Sequence, residues 1–420
     1  MATHPETRGA RVVEADRRFW IGGLPARLFA GSRQRLINRV DAGLARGTLT
    51  LIEPDGRVQR LGGRAPGPQA ELRLTNWRPF LRLAAGGSAG WARAYFDGDW
   101  ASPDVPAFFE VMMLNRRELG STGRGALPGR LFNRLMRALQ ANTLTGARRN
   151  IQFHYDLGND FYAAWLDETM AYSSAIFGTL DEPLAEAQQR KVRVLLDRLE
   201  MKPGERLLEI GCGWGGLAEI AAKEYGVHVT GITLSREQLE YGQRRMAAAG
   251  LSDRVDLRIA DYREDIGRFD HMASVEMFEA VGARYWKTFM RSAFRALKPG
   301  GRAAMQVITI DEAVFPAYRS GADFIQTYIF PGGILPSEPR LRTSAENAGF
   351  RWEGAQAFGQ HYAETLRQWR LRYDAARQEG RLPPGFDAAF DTIWRYYLMY
   401  CEGGFRSGGI DVVQALLKRP

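Results

Sequence analysis

Cysteine is scarce in this chain of 420 residues, which contains only Cys212 and Cys401. Two cysteines exclude a disulfide framework and favour a reducing compartment. The sequence has no CxxC pair and no histidine–cysteine cluster at zinc spacing, so we expect no structural metal. No apolar run is long enough to cross a bilayer, and the polar N-terminus lacks the apolar core of a signal peptide. These absences predict a cytoplasmic protein.

Lysine is absent from the first 150 residues, which hold 24 arginines and 12 acidic residues. That third of the chain has a net charge of +12, whereas residues 151–420 have a net charge of −3. A basic surface attracts a polyanion, either nucleic acid or an anionic membrane. A solvated arginine-rich face without a partner is the plainer alternative.

The chain is long enough for two or more domains. Residues 1–125 are predicted to form a small basic α+β domain that associates with lipid or membrane. A hairpin turn is expected at Pro54-Asp55-Gly56, because such residues favour tight turns between strands. The patterns predict helices over 27–40 and 105–114 and a helix that continues through 91–96 and ends at 97–98. They predict strands at 48–52, from Val58 onward and at 71–74.

Residues 126–149 are expected to form a linker and a basic amphipathic helix. A Gly/Pro-rich stretch at 121–129 marks the linker. Leucines then recur every four residues from Leu127 to Leu139, and Arg130, Arg134 and Arg137 lie away from that stripe. Such a helix rests on a membrane surface. A helix that packs on the core with its arginines in water fits the pattern equally well.

The segment RLLEIGCGWGGL, residues 206–217, contains a glycine-rich turn. An apolar run predicts a buried parallel strand, and Glu209 interrupts that run just before the turn. An apolar helical pattern follows. Strand, glycine turn and helix are the means by which an α/β sheet presents its backbone to a nucleotide-like ligand. The glycines of the turn are Gly211, Gly213, Gly215 and Gly216.

The next strand, at 228–233, helps to identify that ligand. A glycine turn alone is a weak signal, and both a dinucleotide site and a plain tight turn fit it. The strand ends in TGITLSREQ, without the acid that a dinucleotide fold places at the ribose. Glu209 before the turn and the polar segment through Thr233, Leu234 and Gln238 favour S-adenosylmethionine instead.

A series of longer motifs between residues 154 and 405 resembles the cyclopropane-fatty-acyl-phospholipid synthase family. Each motif is longer and rarer than a glycine turn, and they follow one another in the family's order. The N-terminal third resembles the family's smaller lipid-associated domain more loosely. The motifs are HYDLGNDFY, YSSAIF, LLEIGCGWGG, GITLSREQ, DYRE, SVEMFEAVG, YIFPGG and HYAETL.

The resemblance implies a seven-stranded, doubly wound, Rossmann-like class I methyltransferase domain over residues 150–420. The donor would be S-adenosylmethionine, and the acceptor would be a cis double bond in an acyl chain of a membrane phospholipid. The product would be a cyclopropane ring. We therefore expect a peripheral enzyme at the inner face of an anionic membrane, with no nucleic-acid partner. A homodimer is compatible with the sequence. Strands are legible at 206–210, 228–233, 255–260, 269–275, 301–310 and 351–358.

The resemblance also assigns site residues. Asp261 is expected near the adenine, although it also suits a helix N-cap. Methyl transfer to an alkene develops a carbocation, which aromatic faces stabilise; the candidates are Tyr172, Phe177, Tyr328 and Phe330. The residues expected to contact the donor are Tyr172, Ser173, Glu209, Gly211, Gly213, Gly215, Thr233, Leu234, Gln238 and Asp261.

Members of the family hold a bicarbonate ion that is expected to accept the proton lost during ring closure. Glu279 would orient this ion by accepting its proton in a hydrogen bond, and a salt-bridged helix start is the alternative role. By motif, the pocket for the ion is Ser174, Glu279, Gln306, Ile308 and Tyr362.

Three positions depart from the family pattern. Many members carry cysteine at Ser174, and histidine at Ala280 and Gln306. A glutamine does not accept a proton at neutral pH, although its amide still hydrogen-bonds an anion. If the proton left a neighbouring carbon, the product would be a methylene or methyl branch. A methyltransferase for a soluble small molecule and a non-catalytic lipid-binding protein are further alternatives, and the basic N-terminal third argues against the former.

Overall fold

The computed structural model describes residues 30–120, 157–320 and 323–420. The chain divides into two compact units, each built from separated stretches. Two segments of the expected domain at 150–420 therefore belong with the N-terminal residues instead. The first unit comprises Met1–Gln140, Ala313–Pro331 and Pro384–Ile410, and the second comprises Ala141–Glu312, Gly332–Pro383 and Asp411–Pro420.

The elements alternate between strands and helices along much of the chain. The strands are β1 (Thr48–Ile52), β2 (Val58–Gly62), β3 (Gln69–Leu74), β4 (Trp100–Ala101), β5 (Arg206–Ile210), β6 (His228–Thr233), β7 (Val255–Ile259), β8 (Phe269–Val275), β9 (Leu297–Ile310), β10 (Arg351–Ala357) and β11 (Ile410–Lys418). The helices are α1 (Ala30–Gly43), α2 (Arg78–Phe96), α3 (Val105–Leu114), α4 (Arg116–Leu119), α5 (Asn159–Ala163), α6 (Leu184–Asp197), α7 (Gly216–Glu224), α8 (Arg236–Ala248), α9 (Phe278–Val281), α10 (Trp286–Ala296), α11 (Phe315–Ser320), a π-helical turn (Ile325–Ile329), α12 (Glu338–Glu346), α13 (Gly359–Gln378) and α14 (Ala388–Arg406).

The first unit contains a four-stranded sheet in the order β2-β1-β3-β4. The expected hairpin is confirmed: β1 and β2 pair antiparallel, and Gly56 N donates to Glu53 O at 2.9 Å across the turn. The expected helix over 91–96 begins much earlier, at Arg78. The helix is kinked at Gly87, whose φ of 61° interrupts the helical backbone.

An aromatic core explains why α14 belongs to the first unit. Trp100 is almost fully buried, and its Nε1 donates to Trp91 O at 3.0 Å. Tyr396 of α14 packs edge-on against Phe109 of α3, with ring centroids 5.5 Å apart. Because aromatic side chains bury large apolar areas, α14 is held by the N-terminal residues, although it lies far from them in sequence.

The second unit contains a seven-stranded sheet in the order β10-β11-β9-β8-β5-β6-β7. All six expected strands are confirmed, and the strand expected at 301–310 begins earlier, at Leu297. The seventh strand, β11, was not foreseen; it pairs antiparallel with β10. Strands β6 and β7 extend from one side of β5, and β8 and β9 extend from the other. This reversal between β5 and β8 marks the ligand-binding edge of such a sheet.

Helices α6, α7 and α8 pack on this sheet through one apolar cluster that includes Leu195, Ala218, Met246 and Leu257. The expected amphipathic helix at 126–149 and the motif residues before 157 lie outside the described residues. Among the helices of the described part, none is both long and apolar enough to span a bilayer.

Candidate active site

A cavity of about 240 Å³ in the second unit is lined by the glycine turn after β5 and by the segment 169–173. Its location at the carboxyl ends of β5 and β8 agrees with the expected ligand-binding edge. The expected donor residues that line it are Tyr172, Ser173, Glu209, Gly211, Gly213 and Gln238.

The glycine turn leaves room for a ligand at Gly213. This residue has a φ of 51°, and a Cβ added there would meet no heavy atom within 4 Å. Gly215 has a different structural role. It caps the N-terminus of α7, and a Cβ there would lie 3.3 Å from Met246 Cε and 3.6 Å from Gly242 Cα. Gly215 therefore allows α7 and α8 to pack closely and does not line the cavity.

Three other expected donor residues also do not line the cavity. Thr233 is buried, and its Oγ1 donates to Gln238 Oε1 at 2.9 Å, so it orients Gln238. Leu234 is partly buried beside it. Asp261 is buried and accepts from Arg263 N at 3.0 Å and from Arg263 Nε at 2.8 Å. Thr233, Leu234 and Asp261 thus lie at the expected strand ends but outside the lining of this cavity, and their contact with the donor stays a prediction.

Two ionisable side chains of the cavity have strongly shifted pKa values. Burial raises the pKa of Glu209 to about 8, and the Lys191 charge opposes that rise. Burial lowers the pKa of Lys191 to about 8, and the charges of Glu276, Asp167 and Glu209 oppose that fall. Glu209 Oε2 is buried without a hydrogen-bond partner among the described residues. An orphaned carboxylate oxygen beside an open glycine turn suits a ligand with a cation or hydrogen-bond donors.

Sequence reasoning missed Lys191 and Gln188, which lie on α6. Lys191 Nζ donates to Ser173 Oγ at 2.6 Å, and Gln188 Nε2 donates to Ser173 O at 2.8 Å. They fix one edge of the cavity. A signal was present, because these two polar residues are three apart on the same helix face as buried Leu184 and Leu195.

A second polar cluster is centred on the Glu276 carboxylate at the end of β8, which also lines the cavity. Ser174 N donates to Glu276 Oε1 at 2.9 Å, and Gln306 Nε2 donates to the same oxygen at 2.8 Å. Tyr362 OH donates to Oε2 at 2.6 Å. Burial raises the pKa of Glu276, and these hydrogen bonds oppose that rise. Glu276 lies three residues before Glu279 in SVEMFEAVG, and the sequence pattern singled out only the later acid.

Glu279 shares none of the hydrogen bonds that form the Glu276 cluster. It accepts a hydrogen bond from Ile308 N, and its Oε2 is buried without a partner in the described part of the chain. Burial raises the pKa of Glu279 to about 8, and the neighbouring Glu276 charge adds to that rise. The expected pocket thus consists of two groups: Ser174, Gln306 and Tyr362 around Glu276, and Ile308 with Glu279.

The two implied small molecules fit differently. The cavity, the open glycine turn and the orphaned Glu209 oxygen fit S-adenosylmethionine, which supplies an electrophilic methyl group on a sulfonium ion. The pocket expected for bicarbonate does not fit, because its donors are already used. They bond Glu276 or Glu279, except for the Ser174 hydroxyl, which bonds Ala175 O. Among the described residues, no His, Cys, Asp or Glu cluster is arranged to hold a metal ion.

The parallel sheet, its glycine turn and the cavity at the strand reversal define a class I S-adenosylmethionine-dependent methyltransferase. Residues 142–415 match the family model described as Mycolic acid cyclopropane synthetase. The chain belongs to this family and is a methyltransferase of lipid unsaturations.

Relatives and solved structures agree with this classification. The chain is 40% identical over 347 residues to tuberculostearic acid methyltransferase UfaA1 of Mycobacterium tuberculosis, covering 80% of each chain. It is 35% identical over 373 residues to the cyclopropane-fatty-acyl-phospholipid synthase of Escherichia coli K12, covering 86% of this chain and 90% of the relative. The structure of mycolic acid cyclopropane synthase CmaA1 complexed with SAH and CTAB superimposes with a TM-score of 0.60 at 32% identity, covering 64% of this chain and 98% of that one.

Gly213→Val is expected to abolish measurable S-adenosylmethionine binding, because the branched side chain would fill the open side of the turn. Gly250→Val is the matched control: Gly250 also has a positive φ, 69°, and open space around a Cβ, but it does not line the cavity. Both changes carry a backbone cost of about 1–2 kcal/mol. Calorimetry on folded variants separates the two. Equal donor affinity in both would remove the glycine turn from the donor site.

Donor affinity is expected to rise as the pH increases from about 6 to about 8. A bound cation favours ionised Glu209, so it lowers the raised pKa of this group, and binding releases protons. Lys191 loses its positive charge over the same range and acts in the same direction. Glu209→Gln should reduce the dependence to the part that Lys191 contributes, whereas Glu338→Gln, at an exposed residue of α12, should leave it unchanged. Calorimetry in buffers of different ionisation enthalpy measures the released protons; a native affinity independent of pH would contradict this assignment.

Proposed function

We propose that this methyltransferase acts on the cis double bond of an unsaturated phospholipid acyl chain and forms a cyclopropane ring. The observation that carries the proposal is a carboxylate, Glu276, fixed by three hydrogen bonds at the wall of the donor cavity. Ring formation needs a proton acceptor beside the transferred methyl carbon. The 35% identical relative named as a cyclopropane-fatty-acyl-phospholipid synthase supports the same product.

An aromatic face at the cavity supports this chemistry. Tyr172 lines the cavity and packs against Trp369 and Tyr162, with ring centroids 5.3 and 5.4 Å apart. A ring held in this way stabilises a nearby carbocation through its quadrupole. Phe177 lies beside His361 in the same unit, whereas Tyr328 and Phe330 belong to the first unit.

A methylene- or methyl-branched product is the second candidate. Ser174 and Gln306, which bond Glu276, are two of the three departures from the family pattern. The 40% identical relative is named for tuberculostearic acid, a methyl-branched fatty acid. The methylene branch arises when a hydride moves from the methylated carbon to the neighbouring cationic carbon before the methyl group loses its proton. A saturated methyl branch would require a separate reductant that adds hydride to this methylene. The same proton acceptor serves both products.

We further propose that the arginine-rich N-terminal third binds an anionic membrane surface and that the enzyme is a peripheral cytoplasmic protein. The net charge of +12 over residues 1–150 supports this interpretation. Each arginine near an anionic surface contributes on the order of 1 kcal/mol. A substrate buried in a bilayer requires such contact, whereas a soluble substrate does not.

Expression in a host rich in monounsaturated phospholipid is expected to yield acyl chains enlarged by one CH₂ unit. Ring and exocyclic methylene products have the same mass, so proton NMR of purified lipid distinguishes them: cyclopropane protons resonate far upfield and methylene protons in the olefinic region. The Gly213→Val protein provides the inactive control. Methylene signals without cyclopropane signals would establish the second candidate, and unchanged lipids would refute both.

Replacing Arg130, Arg134 and Arg137 with glutamine is expected to weaken binding to vesicles that contain anionic lipid, while donor affinity stays unchanged. The loss should shrink as salt screens the charges. Sedimentation with anionic and neutral vesicles measures the effect. Equal binding of the native protein to both vesicle types at low salt would favour the solvated arginine face.

A further inference from the structure

The Glu276 cluster uses the hydrogen-bond donors that an anion would need. Ser174 N and Tyr362 OH each provide one hydrogen, and both point to Glu276. The two hydrogens of Gln306 Nε2 go to Glu276 Oε1 and, at 3.2 Å, to Ser174 O. Ile308 N donates to Glu279. Each of these donors has no further hydrogen to offer, so a bicarbonate ion would have to displace Glu276.

The surrounding bonds fix the cluster in this arrangement. Gln414 Nε2 donates to Gln306 Oε1 at 3.1 Å, which leaves the Gln306 amide nitrogen directed at Glu276. The Ser174 hydroxyl donates to Ala175 O at 3.0 Å. A second anion beside the Glu276 carboxylate would also be repelled, because like charges in a poorly solvated site interact strongly. The pocket is therefore built around a carboxylate of the chain itself.

The backbone at Glu276 gives an independent indication. Its φ is 49°, one of three positive values at non-glycine residues in the described chain. Glycine adopts this conformation without strain, whereas other residues do not. Glu276 N is held by Gln306 O at 2.8 Å. Strain of this kind persists where the surrounding structure enforces it, and it is concentrated at functional sites.

We propose that the Glu276 carboxylate is the built-in proton acceptor of the methyl-transfer reaction and replaces bicarbonate in this protein. The assignment rests on the proposed function, because it requires an acyl carbocation beside the donor cavity. Glu276 is then a catalytic residue, and Ser174, Gln306 and Tyr362 are positioning residues that keep its oxygens in place.

The proton step is balanced without another reactant. The alkene π pair forms a bond to the donor's methyl carbon while the sulfur–methyl bond breaks and leaves its pair on sulfur. The other alkene carbon becomes cationic. Glu276 accepts a proton from the transferred methyl group, and the released C–H pair forms the bond that closes the ring. After a hydride shift, the same C–H pair forms the exocyclic double bond instead.

Two variants test the assignment. Glu276→Gln keeps the size but removes the base, and turnover should fall by about 100-fold or more, measured at saturating donor so that a change in donor affinity does not contribute. Glu276→Gly removes strain at the positive φ and opens the pocket, so it should lose turnover similarly and then regain part of it when formate or bicarbonate is added. Formic acid is a stronger acid than a buried glutamic acid, so the acid limb of the rescued pH–rate profile should move to lower pH.

The native enzyme provides the decisive contrast. Its turnover should be equal in carbonate-free buffer and in buffer with added bicarbonate, and Glu338→Gln should behave as native. Loss of native turnover on bicarbonate depletion, or native turnover in Glu276→Gln, would overturn the proposal. A structural role alone would reduce turnover in the variants but would give neither rescue by small carboxylates nor a shifted pH profile.

A binding measurement separates this inference from the proposed function. Formate should raise the melting temperature of Glu276→Gly and leave that of the native protein unchanged, and neither result requires methyl transfer to lipid. The native protein could modify no phospholipid while formate still raises the melting temperature of Glu276→Gly alone. The substrate assignment would then be wrong, but the conclusion that Glu276 fills the pocket would remain. If formate stabilises both proteins equally, Glu276 does not fill the pocket.

Discussion

The active site depends on the stabilisation of a partly buried carboxylate. Removing a carboxylate from water is costly unless donors replace the lost hydration. Glu276 receives three such donors from Ser174, Gln306 and Tyr362. These residues come from the segment before α6, from β9 and from α13, so a single charged group holds three separate parts of the second unit at the cavity wall. If one of these donors were lost, only two hydrogen bonds would stabilise the Glu276 carboxylate.

Three further ionisable groups of the site have pKa values close to neutral pH. Burial moves the pKa values of Glu209, Glu279 and Lys191 all to about 8. Groups with such values change protonation in response to a bound charge at little cost. A site that binds a sulfonium donor and then borders an acyl carbocation benefits from this property, because the local negative charge can follow the positive charge of the ligand.

The family relationship does not decide whether the acyl carbocation closes to a ring or gives a branched product. Relatives at 40% and 35% identity carry names that refer to different lipid products. Both products require the same methyl donor, the same alkene and a base near the transferred methyl group. A base fixed to the polypeptide has a defined position, whereas a bound ion has more freedom. Under the proposal that Glu276 is this base, the geometry around Glu276 sets the timing of proton removal relative to a hydride shift.

Local sequence determined the strands of the second unit, the glycine turn and the donor class, because each depends on neighbours in the chain: apolar runs form strands, and only glycine allows the positive φ of Gly213 without strain. Tertiary structure decided the rest. It placed α14 in the first unit through aromatic packing, and it left Gly215, Thr233 and Asp261 outside the lining of the cavity. It also brought Ser174, Gln306 and Tyr362 to Glu276, from positions 102, 30 and 86 residues away in sequence. Hydrogen bonds over such separations exist only once the sheet has assembled.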